Sequence, residues 1–202
     1  MKSTRIVLAA TTLVVLSGVA ARAEDAKIGF QLTLTSPKGD MGDQLDNKIG
    51  YGLGVHGLFD LGSGNAIVPR LDYVTYKRSG TSGGALTWDV KDTILSIGAD
   101  YNYFVGGKTN QGFYLAGGLG LASGKFETTV SMLGASSTVS VTKGSLYLQA
   151  GVGYQFTPNM GAELRYQSLK FSDVEANVDG LGTAGSADIS APSIQASFTV
   201  RF

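Results

Sequence analysis

Alternation of apolar and polar residues over segments of about ten residues is the feature that most constrains the fold of this chain. Eight such segments follow one another, and residues typical of turns and loops separate them. They cover residues 27–35, 48–60, 65–78, 92–105, 111–125, 144–156, 160–170 and 190–202. Because residues two apart on a β-strand lie on the same face, each segment predicts a strand with one apolar and one polar face. The sequence therefore predicts an all-β fold of eight strands.

The connections between these strands alternate in length. Residues 61–64, 106–110 and 157–159 form three short connections, and residues 36–47, 79–91, 126–143 and 171–189 form four longer ones. Short turns at one end and long loops at the other are typical of barrels in the bacterial outer membrane. The pattern predicts an eight-stranded antiparallel up-and-down transmembrane β-barrel with both termini on the periplasmic side.

The apolar face of these strands is compatible with lipid. In the last strand this face holds Ile194, Ala196, Phe198, Val200 and Phe202. Aromatic residues recur at the predicted periplasmic strand ends and predict an interfacial girdle; they are Phe59, Tyr103, Phe113, Phe156 and Phe202. A soluble secreted barrel with an apolar interior is the alternative, because alternation alone does not say which face is wet. Two sites fit the strand pattern poorly: Pro69 in the third strand, and residues 169–171, where the alternation breaks.

The first residues have the three parts of a secretory signal peptide. Lys2 and Arg5 precede an apolar run over residues 6–16, and Ala21-Arg22-Ala23 forms a cleavage site. We expect residues 1–23 to be a signal peptide and residues 24–202 to be one barrel domain. Removing three basic residues leaves 13 basic against 16 acidic side chains, which argues against a nucleic-acid partner. The chain has no cysteine, so it has neither a disulfide nor a lipid anchor on a cysteine.

The chain resembles the small eight-stranded outer-membrane barrels of the OmpA transmembrane domain, OmpX and OmpW type. The resemblance covers residues 24–202, and its best local mark is the ending Ser197-Phe198-Thr199-Val200-Arg201-Phe202. The resemblance implies that Phe198, Val200 and Phe202 are the signal for the outer-membrane assembly machinery, with periplasmic chaperones acting beforehand. It also implies contact with outer-membrane lipid and lipopolysaccharide, and we expect no cell-wall-binding domain of the OmpA type.

The polar face of the predicted barrel points into a lumen that is just wide enough to be filled by side chains. Charges there need partners, because an unpaired buried charge is costly. We expect the charged and titratable members of this face to form a plug of paired side chains; they are His56, Arg70, Asp72, Asp100, Glu163, Arg165 and Arg201. Gln31, Asn102 and Gln167 lie on the same face. A narrow ion path gated by these pairs is the alternative.

No set of residues predicts a catalytic, cofactor or metal site. His56 is the only histidine, and the parity of its strand directs it inward, without a serine and a carboxylate that would complete a nucleophilic arrangement. Asp40, Asp43 and Asp46 recur in the first long loop, but their spacing does not match a calcium loop. We therefore predict neither cofactor nor metal, and no enzyme.

The sequence constrains the function of this protein less than it constrains the fold. The first hypothesis is a non-enzymatic protein with a filled lumen, whose surface loops have structural roles or bind a protein. Residues 126–143 continue the alternation beyond the membrane, so this hairpin either binds a protein by strand addition or shields the barrel rim. The second hypothesis is a narrow channel for small or apolar solutes, and the third is a lipid-modifying outer-membrane enzyme.

Overall fold

The computed structural model describes residues 26–82, 86–132, 135–178 and 182–202. Nine strands and one short helix occupy these ranges. They are β1 (Lys27–Pro37), α1 (Gly39–Gln44), β2 (Gly50–Gly62), β3 (Asn65–Ser82), β4 (Leu86–Phe104), β5 (Gly112–Met132), β6 (Ala135–Thr157), β7 (Met160–Val178), β8 (Gly182–Ser190) and β9 (Ser193–Arg201). The predicted signal peptide, residues 1–23, lies outside the described residues and stays a prediction.

Eight of the strands close into an antiparallel barrel, which confirms the predicted fold. Each strand from β1 to β7 pairs with the next one along the chain, and β9 lies between β7 and β1. The closing ladder pairs Phe30 with Val200 and Leu32 with Phe198. Residues such as Val, Ile, Thr and Phe favour strands because their side chains pack well on a pleated surface. Closure leaves no free sheet edge within the barrel wall.

Three of the four predicted long loops are largely strand. β3 extends to Ser82 and β4 begins at Leu86. β5 extends to Met132 and β6 begins at Ala135. β7 pairs with β8 above the barrel. The long connections predicted at 79–91 and 171–189 are therefore shorter than expected, because strands extend into both segments. Their Ser, Thr and Val residues continue the backbone ladders outward, since paired hairpins satisfy the peptide groups of both strands. Asp188 on β8 pairs with Lys170 on β7 at 2.7 Å and raises the pKa of Lys170.

The first long loop differs from the others because it turns back into the barrel mouth. It contains α1, which the sequence did not predict, and α1 has no side-chain cap at its N-terminus. Met41 and Leu45 are fully buried in an apolar cluster that includes Tyr76 and Phe171. The burial of these two side chains, rather than helix propensity, stabilises so short a helix.

The two poorly fitting sites have different explanations. β3 runs through Pro69, which pairs with Ala99 on β4. In the β2–β3 ladder, Pro69 has no register partner on β2. The missing N–H of proline therefore removes no ladder bond with β2. At residues 169–171 the strand alternation does not break: Leu169 and Phe171 point inward with 3% and 0% exposure, and Lys170 points outward. The sequence pattern changes there because the upper lumen is apolar.

The outer face of the barrel is an apolar band. Exposed residues on it include Leu32, Leu53, Leu95, Leu119 and Leu148. Four of the five predicted girdle residues are also exposed on it, whereas Phe59 is only 8% exposed and lies against Gly57. In the described ranges, the structure contains no helix of the length and apolar character needed to cross a membrane.

Candidate functional site: the lumen

Arg70 is the centre of a buried charged layer halfway along the lumen. Its Nε lies 2.5 Å from Asp100 Oδ2, and its Nη2 donates to Glu163 Oε1 at 2.8 Å. Its Nη1 donates to Gln31 Oε1 at 2.7 Å, and Gln31 Nε2 in turn donates to Asp72 Oδ1 at 2.5 Å. Arg70 therefore connects groups from strands β1, β4 and β7 across the interior.

Arg165 and Tyr114 complete the layer around Glu163. Arg165 Nε lies 3.3 Å from Glu163 Oε2, and Tyr114 donates its hydroxyl to Glu163 Oε1 at 2.5 Å. Gln149 donates to Asp100 Oδ1 and lies within 3.5 Å of Arg165 Nη1. Glu163 thus accepts hydrogen bonds from Arg70 and Tyr114 through Oε1, and its Oε2 forms an ion pair with Arg165.

Arg201 and His56 form a second polar group nearer the periplasm. Arg201 Nε donates to His56 Nε2 at 3.2 Å, and Arg201 Nη1 donates to Gln155 Oε1 at 2.7 Å. Both side chains are almost completely buried. His56 therefore points into the lumen and accepts a hydrogen bond from Arg201, an arrangement that positions no nucleophile.

The structure brings all seven predicted lumen residues together inside the barrel. Arg70, Arg165 and Arg201 supply three positive charges, and Asp72, Asp100 and Glu163 supply three negative ones. With His56 neutral, the formal charges of the set cancel. A closed set of opposite charges with shared hydrogen bonds is the arrangement that makes buried charges tolerable in a narrow lumen.

Glycines on the inner face make room for these large side chains. A Cβ on Gly54 would overlap Asp72 Oδ1, and a Cβ on Gly118 would overlap Asp100 Oδ1. A Cβ on Gly153 would overlap the ring of Tyr114. Each of these glycines lies opposite the bulky residue on a neighbouring strand. The glycine content of the strands is therefore part of the lumen packing.

Two apolar layers enclose the charged layer. The periplasmic layer consists of Leu58, Ala66, Val68, Phe104 and Tyr114. The outer layer includes Tyr76, Ile94, Phe126, Tyr147 and Phe171, with Met41 and Leu45 of the α1 loop. Sequence reasoning missed these layers because it assigned apolar side chains to the lipid face. The alternation of faces along each strand could have identified these residues. Tyr114, for example, follows the outward Phe113 and therefore points into the lumen.

The acidic residues of the α1 loop make contacts within the protein. Asp40 Oδ2 accepts the backbone N–H of Ser190 at 2.8 Å, and Asp46 Oδ2 lies 4.0 Å from Arg78 Nη2. Arg78 also donates to the Gln44 carbonyl at 2.6 Å and stacks over Trp88. Among the described residues, no group of three or more acidic, histidine or cysteine side chains could hold a metal ion.

The predicted assembly residues lie on the outward face of the last strand. Phe198 and Phe202 are exposed there, and Val200 is half-buried. The ring of Phe202 packs edge-on against Phe30 at 6.3 Å, and its N–H donates to the Ile28 carbonyl. The end of the chain is thus paired with β1 at the barrel seam.

Comparison with known proteins agrees with this architecture. The family described as "Outer membrane protein beta-barrel domain" matches residues 6–202. The chain belongs to this family. It is accordingly a protein of the bacterial outer membrane. No curated protein sequence matches the chain significantly.

Solved structures of other outer-membrane barrels have the same fold. Ail, the attachment invasion locus protein of Yersinia pestis, is 18% identical with a TM-score of 0.53, over 88% of this chain and 97% of Ail. A major outer membrane protein from Thermus thermophilus is 14% identical with a TM-score of 0.54, over 89% of this chain and 100% of that protein. At these identities the likeness shows the fold alone.

Proposed function

We propose that this outer-membrane barrel is a non-enzymatic surface-interaction protein that binds a polypeptide by strand addition to the outer part of β6. The free edge of that strand carries the proposal. β6 pairs with β5 from Ala135 onward, but it pairs with β7 only from Tyr147. Above Leu169, β7 pairs with β8 instead. Within the described residues, positions 135–146 of β6 therefore have no strand partner on their second edge.

The composition of this edge supports a role in pairing. Natural proteins protect exposed edge strands with lysines, prolines, bulges or short length. The segment Ser136-Ser137-Thr138-Val139-Ser140-Val141-Thr142 has no charge, no proline and no glycine, and the first charged residue after it is Lys143. Serine, threonine and valine at these positions present a polar, β-forming surface with regular backbone donors and acceptors. Such an edge suits an extended polypeptide partner.

A structural relative has been solved with a bound ligand. Ail of Yersinia pestis has a solved structure in complex with the heparin analogue sucrose octasulfate. That ligand is a property of Ail. For the present chain, it supports only the general proposal that barrels of this fold bind ligands.

A peptide with the sequence of β5, which pairs with the other edge of β6, tests whether the free edge accepts an extended strand. The peptide Ser123-Gly124-Lys125-Phe126-Glu127-Thr128-Thr129-Val130-Ser131-Met132 reproduces the outer part of β5. We expect it to bind the vesicle-embedded protein with a micromolar dissociation constant, measured by fluorescence anisotropy. A peptide of the same composition in scrambled order is expected not to bind.

Proline substitutions at Thr138 and Val139 supply a matched pair of variants. Adjacent residues of an antiparallel strand direct their N–H groups to opposite edges, so one proline removes a donor from the free edge and the other removes a donor to β5. The proline that removes the free-edge donor is expected to abolish peptide binding while the barrel stays folded. Equal binding to both variants and to the unaltered protein would contradict strand addition.

The channel hypothesis predicts a conductance that the packed lumen opposes. Charged groups and apolar layers fill the interior from Leu58 to Phe171. In planar bilayers, we expect the purified protein to give no steady single-channel current. Steady, ion-selective steps would favour the narrow channel and contradict a filled lumen.

A further inference from the structure

Asp92 is a buried acidic residue that does not belong to the charged layer around Arg70. It lies on β4, points inward and is fully buried. Among the described residues, neither of its carboxylate oxygens has a hydrogen-bond partner. Its register partners, Tyr76 on β3 and Phe126 on β5, both belong to the outer apolar layer. A charged carboxylate is costly in such surroundings, because nothing there replaces the water that it has lost.

The side chains that surround Asp92 give it no counter-charge. Tyr76 faces it from β3, but the Tyr76 hydroxyl shares a hydrogen bond with Thr35 of β1 at 2.9 Å. Tyr147 and Lys143 point inward from β6, two strands away. The members of the outer layer on β5 and β7 are apolar. In the part of the chain that the structure describes, no lysine or arginine forms a salt bridge with Asp92.

α1 covers the outer apolar layer as a lid on the barrel mouth. Met41 and Leu45 are the lid residues that pack into the layer. Because α1 is short and has no side-chain cap, its closure depends on the apolar character of what it covers. The acidic residues of the lid have other partners or are exposed; they are Asp40, which accepts the N–H of Ser190, Asp43, which is exposed, and Asp46, which lies 4.0 Å from Arg78.

The protonation of Asp92 depends on whether the lid is closed. Asp92 lies at the rim, outside the membrane-spanning part of β4: Leu95 is exposed in the apolar band, whereas Lys91, further out, is exposed and charged. Burial raises the pKa of Asp92 to about 7, while a carboxyl in water has a pKa of about 4. The closed state therefore binds the proton more tightly, and closure weakens as the pH rises towards 7.

We propose that Asp92 and α1 form a proton-controlled lid on the outer mouth of the barrel. While the Asp92 carboxyl carries its proton, the outer layer is neutral and holds Met41 and Leu45. When the proton passes to solvent, water enters the layer to solvate the carboxylate, and α1 leaves the mouth. The charged layer around Arg70 stays in place, so the lid changes the surface that the protein presents outside the cell and opens no channel. The device is separate from the free edge of β6.

Thiol labelling can measure the lid, because the chain has no cysteine of its own. Met41→Cys places a thiol on the buried face of α1, and Gln44→Cys places one on its exposed face. Both variants are refolded into phosphatidylcholine vesicles and labelled with a maleimide at pH 5.5 and pH 8.5. The ratio of the two rates removes the effect of pH on the thiol itself. We expect the M41C/Q44C rate ratio to rise more than about tenfold between these pH values, since each unit between the closed-state and open-state pKa changes closure tenfold.

Two neutral replacements of Asp92 and one matched control complete the test. Asp92→Asn and Asp92→Leu should each hold the rate ratio low at both pH values, because neither side chain ionises. Asp89→Asn removes an exposed carboxylate from the same strand and should keep the full rise. A ratio that does not rise in the chain with Asp92, or a rise that persists in both neutral variants, would overturn the proposal. Open lids at pH 5.5 in both neutral variants would give Asp92 a structural role and also overturn it.

Discussion

Replacing Arg70 by methionine is expected to lower the free energy of unfolding of the barrel by about 3–5 kcal/mol. The substitution leaves Asp100 and Glu163 buried without their shared partner, and it removes the hydrogen bond to Gln31. Methionine fills much of the same volume, so the lost charge, rather than a cavity, accounts for the effect. Urea unfolding of the protein in phospholipid vesicles, followed by the shift in electrophoretic mobility, measures the change.

Two further variants separate the buried charge from a general effect of substitution. Lys125→Met removes an exposed pair with Glu127 and should cost at most about 1 kcal/mol. Adding Asp100→Asn to Arg70→Met restores the charge balance and should recover part of the loss. If Arg70→Met costs no more than Lys125→Met, the charged layer does not hold the lumen together.

Replacing Gly118 by valine is expected to cost about 3 kcal/mol or to prevent folding altogether. The new side chain would overlap Asp100 Oδ1 and approach the Ala99 carbonyl oxygen within 2.6 Å. Because Asp100 pairs with Arg70, the clash would also disturb the charged layer. The fraction of protein that reaches the folded electrophoretic band after refolding into vesicles measures the effect.

The adjacent Gly117 provides the matched control for this substitution. It points to the lipid, and a Cβ there meets nothing within 4 Å. Gly117→Val should therefore fold as well as the unaltered protein, since valine favours strands and lipid tolerates it. Similar losses for both variants would mean that glycine serves strand flexibility, and not space for Asp100.

Much of the fold could be predicted from the sequence because a closed barrel repeats one local rule on every strand. Alternation identified the strands, and the inward parity of Arg70, Glu163 and Arg165 placed them in one lumen. Their partners could not be predicted, because which side chains meet across the interior depends on the stagger between strands. The contact between Arg70 and Glu163, from β3 and β7, is of this kind.

The apolar layers and α1 were missed for a different reason. Parity reports only the direction of a side chain, so the rule that inward residues are polar failed at Phe104, Leu169 and Phe171. These positions need apolar side chains because the lumen is plugged at both ends. α1 forms in contact with that plug through Met41 and Leu45. Its six residues carry no local signal that distinguishes them from a loop.

The length of the β5–β6 hairpin determines how far it projects beyond the membrane. From Leu121, the last exposed leucine on β5, to Met132 the strand climbs about 35 Å at roughly 3.3 Å per residue. With a barrel-like tilt of about 45°, its tip stands about 25 Å above the hydrocarbon. Sugars that are attached to lipid close to the bilayer would surround the base of the hairpin but leave the tip open. Met132 and its register partner Leu86 on β4 therefore both lie where antibodies or bacteriophages can reach the protein above those sugars.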